Sequence, residues 1–151
     1  MPLIFAYGSN MDCAQMRERC PSTKFVCIAS FKDHQLAFTR KSRNRGCGVA
    51  DVVSSHGKTV WGVVFDISEN DLLTLDRNEG VNSNSYVRRT ETIFQNGDES
   101  KLLNVFIYFA VPQDNPPLPN QEYKGLIVSG AKFWNLPADY VLELENIKVS
   151  S

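Results

Sequence analysis

The stretch Phe5-Ala6-Tyr7-Gly8-Ser9-Asn10-Met11 decides how this chain is read. Leu3 to Ala6 is a short apolar run of strand type, and Gly8-Ser9-Asn10 breaks it. From Met11 to Arg19 good helix formers predominate. Ser9 or Asn10 offers a side-chain oxygen suited to cap that helix. Gly8 lets the backbone approach whatever sits above the strand end. A strand that turns through glycine into a helix start gathers several backbone N–H groups at one spot, which favours an anion. A structural strand–helix junction accounts for these residues equally well. The rest of the chain has to separate the two.

Downstream, Cys20-Pro21-Ser22 stops the helix, and two alternating runs follow over Lys24–Phe31 and His34–Arg40. Arg40-Lys41-Ser42-Arg43-Asn44-Arg45-Gly46 is a basic loop without interleaved aromatics, read as a solvated hairpin end rather than a phosphate contact. Gly48–Val53 and Thr59–Ile67 are strands around the turn Ser54–Lys58. Val60–Phe65 is apolar on both faces, as a central strand would be, and Val105–Phe109 repeats the pattern. Ser68 opens a helix with Asp71 near capping-box position, Leu72, Leu73 and Leu75 give its apolar side, and Gly80 stops it. Tyr86–Phe94 and Leu102–Val111 form a hairpin around Asn96-Gly97-Asp98. Pro112–Gln121 holds four of the seven prolines and is an irregular loop. Tyr123–Trp134 and a segment beginning at Pro137 complete the helices. The total is an α+β fold of about six or seven strands with three or four helices, its sheet closed or nearly so.

At 151 residues, 42% hydrophobic and 22% charged, the chain is expected to form one domain, residues 1–151. A net charge of -1 gives no general attraction to nucleic acid or acidic membranes. There is no apolar run of membrane-spanning length and no basic leader, so a cytoplasmic protein is expected. Cys13, Cys20, Cys27 and Cys47 lack zinc-type spacing with each other or with His34 and His56, and are expected as free thiols, mostly buried. No metal or cofactor site is expected.

Among the acids, Glu79 stands out. It lies in the last turn of the helix that ends at Gly80, where the negative end of the dipole disfavours its charge. Partly buried there, it would have a raised pKa suited to a general base or acid. A solvated carboxylate near a helix end is the bland account, and Asp76 is a competing acid on roughly the same face.

Taken together, Tyr7-Gly8-Ser9-Asn10 after an N-terminal strand, Trp61-Gly62-Val63-Val64, Leu75–Val81 with its Glu79-Gly80, Tyr86, and Tyr123 ahead of Gly130-Ala131-Lys132 resemble the γ-glutamylcyclotransferase family. Each motif alone is weak, but the ordered set spans nearly the whole chain. The resemblance implies a small mixed β-barrel with peripheral helices. It also implies cyclisation of γ-glutamyl amino acids to 5-oxoproline with release of the free amino acid. Carried over, Tyr7, Gly8, Ser9, Asn10, Met11 and Asp12 would form the loop that holds the γ-glutamyl group. Glu79 would be the acid/base, Tyr123 would bind substrate, and Tyr86 would lie beside the site. Met11-Asp12 departs from the animal pattern, where apolar residues are usual. Tyr-Gly-Ser-Asn, rather than the Tyr-Gly-Ser-Leu of glutathione-specific relatives, favours γ-glutamyl dipeptides as substrates. No cofactor is implied, and a homodimer is the assembly suggested. The alternatives are the same chemistry on γ-glutamylamines or on a γ-glutamyl-protected metabolite of a biosynthetic pathway, and a non-catalytic anion-binding or interaction domain of the same fold.

Overall fold

The computed structural model describes residues 2–150, so Met1 and Ser151, the ends of the expected 1–151 domain, lie outside the described residues. Five strands form a closed barrel: β1 (Leu3–Ala6), β2 (Lys24–Lys41), β3 (Gly48–Asp66), β4 (Tyr86–Gln95) and β5 (Leu102–Ala110), in spatial order β1-β3-β2-β4-β5. All pairings are antiparallel except the closing one, where β1 meets β5 in parallel at Ile4–Phe106. Helices α1 (Cys13–Arg19), α2 (Glu69–Glu79), α3 (Gln121–Phe133) and α4 (Ala138–Glu145) surround it. This is the mixed α+β barrel expected.

Five strands replace the six or seven expected, because two pairs of short runs are single long strands. Lys24–Phe31 and His34–Arg40 are both part of β2, and Gly48–Val53 and, up to Asp66, Thr59–Ile67 are both part of β3. Lys32 pairs with Thr59 and His34 with Ser54, so one residue on β2 faces four on β3. Asp33 (φ 59) and Gly57 (φ 81) take left-handed conformations at that point. The Asp33 carboxylate accepts from Gly57 N at 3.1 Å. The turn residues therefore kink two paired strands together instead of ending them, and bulges of this kind let a long hairpin curve into a barrel.

The expected central strand, Val60–Phe65, is β3 between β1 and β2. Phe5 and Phe31 meet edge to face inside the barrel at 6.2 Å. Helix α2 begins and ends as read: Ser68 Oγ accepts from Asp71 N, and Gly80 closes the helix at φ 71. Its apolar side is Leu72 and Leu75, whereas Leu73 points to solvent, 56% exposed. The first helix differs from expectation. A 3-10 turn covers Ser9–Met11, and Asp12, not Ser9 or Asn10, caps α1 by accepting from Gln15 N at 2.9 Å. All four cysteines are free thiols, Cys13 alone being only half-buried. Among the described residues, no helix is long and apolar enough to cross a membrane.

Candidate active site

Where β1 ends, the chain enters a cavity. Its walls are the run from Ile4 to Asn10 together with Ala50, Glu79, Tyr86, Tyr108 and Tyr123. Four elements besides the loop therefore converge: β3 brings Ala50, the end of α2 brings Glu79, the β4–β5 hairpin brings Tyr86 and Tyr108, and the first turn of α3 brings Tyr123. Asn120 caps α3 by accepting from Tyr123 N at 2.8 Å, which fixes where that tyrosine starts.

Glu79 is held by the loop itself. Asn10 Nδ2 donates to Glu79 Oε1 at 2.9 Å across 69 residues of sequence. The orientation of the Asn10 amide follows from its other partners. Arg19 (2.9 Å) and Gln15 (3.1 Å) both donate to Asn10 Oδ1, so only the NH₂ is left to face the carboxylate. Gln15 in turn accepts from Arg45 at 2.7 Å and donates to Ser9 Oγ at 2.9 Å. Burial pushes the Glu79 carboxyl above its ordinary range, against the pull of Arg19, 4.0 Å away, and of the Asn10 hydrogen bond. The group therefore holds a proton more readily than a surface glutamate.

The tyrosines are locked and neutral. Tyr7 donates to Tyr108 O at 2.6 Å and Tyr86 to Ala50 O at 2.6 Å. Tyr108 donates to Asp76 Oδ1 at 2.6 Å. Tyr123 differs: its oxygen accepts from Ala50 N at 2.9 Å, which leaves its own proton uncommitted. Burial drives all four hydroxyls upward, so they are donors and not bases. Asp76, the competing acid, is occupied by Tyr108 and by Arg88 at 3.2 Å and does not line the cavity. Among the described residues, Glu79 is the one carboxylate in the wall.

The amides of Gly8, Ser9 and Asn10 have no hydrogen-bond acceptor among the described residues. A Cβ on Gly8 would come within 3.3 Å of Ala50 Cβ and 3.5 Å of the Tyr123 hydroxyl, so the glycine keeps this corner open. The structure thus brings Tyr7, Gly8, Ser9, Asn10, Glu79, Tyr86 and Tyr123 together. Met11 and Asp12 are not among the lining residues. Met11 is fully buried against Gly130, and its carbonyl accepts from Trp134 Nε1 at 2.8 Å, while Asp12 is spent on the cap of α1. Both shape the loop from behind.

Sequence reading missed Tyr108, Arg19, Gln15 and the basic loop. Tyr108 carried one signal, a hydroxyl inside a doubly apolar strand, which must find a partner when buried. Arg45 carried none, since nothing local to the loop says that its guanidinium lies 4.9 Å over the Tyr123 ring.

This geometry has close relatives. The AIG2-like family matches residues 59–144. Gamma-glutamylcyclotransferase of Homo sapiens is 34% identical over 150 residues, covering 97% of this chain and 78% of that protein. A solved gamma-glutamyl cyclotransferase superposes with a TM-score of 0.91 at 31% identity, over 99% of this chain and 89% of its own. A yeast cyclotransferase specific to glutathione shares the fold, with a TM-score of 0.63 at 10% identity over 95% of this chain and 93% of its own. With a family match over more than half its length and a relative above 30% identity along nearly all of it, the chain belongs to the γ-glutamylcyclotransferase family of enzymes.

Proposed function

We propose that this cavity cyclises γ-glutamyl amino acids to 5-oxoproline and frees the amino acid, with Glu79 as acid and base. One observation carries the reading: the Asn10–Glu79 hydrogen bond sets a desolvated carboxylate beside the uncommitted amides of Gly8, Ser9 and Asn10. A γ-glutamyl substrate has both an α-carboxylate to anchor on such amides and an adjacent α-amine that needs a base.

Glu79 removes a proton from the α-ammonium, whose pKa in free amino groups is about 8. The amine then attacks the γ-carbonyl carbon and closes a five-membered ring. Held in the reactive conformer, this step avoids much of the entropy that an intermolecular attack would lose. The oxyanion is met by N–H donors of the loop and by the free Tyr123 proton. As the C–N bond to the leaving group breaks, the protons taken up by Glu79 pass to the departing amine. The ring nitrogen keeps one hydrogen, the released amine gains two, and no water is consumed.

Tyr7 and Tyr86 set the cavity walls through their carbonyl partners, and Met11 and Asp12 hold the loop in place. The same reading takes residues 1–151 as one domain and the enzyme as a cytoplasmic homodimer, for which sedimentation velocity and cell fractionation are the tests. The central experiment is Glu79→Gln, which keeps an oxygen for Asn10 but cannot take a proton. It should lower 5-oxoproline release from γ-glutamyl-alanine by about a hundredfold to ten-thousandfold with the fold intact. Turnover at the wild-type rate would refute the assignment.

A further inference from the structure

The cavity opens into a larger bowl of about 1110 Å³, and Ser9, Glu79, Tyr86 and Tyr123 belong to the walls of both. Cyclisation of the γ-glutamyl group makes no use of the outer part. That part carries Arg40, Lys41, Arg43, Arg45 and Arg77 beyond the Arg19 that faces Glu79, whereas among the described residues Glu122 is its only carboxylate besides Glu79. Among the described residues, none of these five cations forms a salt bridge. The contacts they do make are to neutral acceptors: Arg40 to Val111 O at 3.0 Å, Arg45 to Gln15 Oε1 at 2.7 Å, and Arg77 to Thr74 Oγ1 at 3.2 Å. Arg40, Arg45 and Arg77 are therefore positioned by neutral groups, and Lys41 and Arg43 stand exposed beside them.

The display is also organised in advance. The basic loop closes on itself through Ser42 N to Cys47 O (2.9 Å) and Gly46 N to Ser42 O (2.8 Å), and Gly48 N ties its end to Leu118 O at 3.0 Å. A concave surface on which five cations face the single carboxylate of Glu122, built on an ordered loop in a chain of net charge -1, concentrates anions at the mouth of the site. With the γ-glutamyl group seated in the inner cavity as proposed above, the group that leaves would face that mouth.

We infer that the leaving group is polyanionic: the enzyme acts on γ-glutamyl compounds whose released amine carries two or more carboxylates, a dicarboxylic amino acid or a short acidic peptide. The inference rests on the cyclotransferase reading above. Any amino-acid leaving group brings one α-carboxylate, which meets one or two of the cations. The rest are matched only by further negative charge. An uncharged amine would leave the whole set without a counterpart.

The test compares kcat/KM for γ-glutamyl-glutamate, γ-glutamyl-alanine and γ-glutamyl-butylamine, scored by 5-oxoproline release. The glutamate conjugate should exceed the alanine conjugate by about tenfold or more in dilute buffer. That ratio should fall toward one at about 1 M salt, where the screening length is about 3 Å. It should also fall in a Lys41→Gln/Arg43→Gln variant, whose altered side chains are exposed. Equal kcat/KM for the two dipeptides overturns the inference and leaves the cyclotransferase reading standing. A preference that survives both salt and the double variant overturns it as well, because its source would lie elsewhere. Absence of 5-oxoproline from all three compounds overturns both together.

Discussion

Asn10 is the residue through which the loop and the base become one site. It spends its carbonyl on Arg19 and Gln15 and its NH₂ on Glu79, and so leaves its backbone N–H free. Glu79 in turn is stabilised less than a surface carboxylate, since burial outweighs Arg19 and Asn10. Two consequences follow for pH. The free enzyme needs Glu79 ionised, so kcat/KM should fall about tenfold per pH unit below its raised pKa. Folding runs the other way. A carboxyl whose folded pKa lies above the unfolded value of 4.5 binds its proton more tightly in the native state. Its contribution to stability is complete below pH 4.5 and is lost as pH rises through the folded pKa. Glu79→Gln removes that loss. At pH 7 the variant should melt at the same temperature as the wild type or higher, and the difference should vanish below pH 4.5. A variant clearly less stable at pH 7, by calorimetry, would mean that Arg19 and Asn10 outweigh desolvation.

At the scale of elements, the distinction between legible and hidden is one of range. Both ends of α2 could be read because Ser68 and Gly80 act within three residues of themselves. The strand–turn at Tyr7-Gly8 was legible for the same reason. The apolar side of α2 was overdrawn, because Leu72, Leu73 and Leu75 cannot share one helical face. The kinked hairpin was hidden, because Asp33 and Gly57 look like turn residues until they are seen opposite each other. The cap of the first helix was placed too early. The loop did not end at a helix cap at Ser9 or Asn10; it continued through a 3-10 turn, and the cap moved on to Asp12. Asp12→Ala should therefore destabilise the protein by about 1 kcal/mol. Asp12→Asn, which keeps an accepting oxygen, should restore most of it. Thermal melts read both. A rise in KM for γ-glutamyl-alanine out of proportion to the lost stability would return Asp12 to the substrate.

For the molecule as a whole, the site and the barrel closure are one structure. The four residues of β1 hold the seam, paired with β3 on one side and with β5 on the other. The next residue, Tyr7, ties the same seam by donating to Tyr108 O on β5. The loop that follows is thus positioned by closure, which a list of local motifs does not contain; Tyr7 and Tyr108 are 101 residues apart. Gly62 shows how tight the seam is. A Cβ there would lie 2.4 Å from Ala6 O and 2.8 Å from the Phe5 ring, and the former is backbone that cannot swing aside. Gly62→Ala must push β1 away from β3, and such overpacking typically costs about 1–3 kcal/mol. Because Ala6 leads directly into Tyr7-Gly8, the displacement should reach the cavity also. Urea denaturation should show a lower midpoint with an unchanged slope, and kcat/KM for γ-glutamyl-alanine should fall under conditions where the variant is still folded. A lower midpoint with full activity would show that the loop is held from the α3 side, through Met11 and Gly130, and that the seam contributes stability alone.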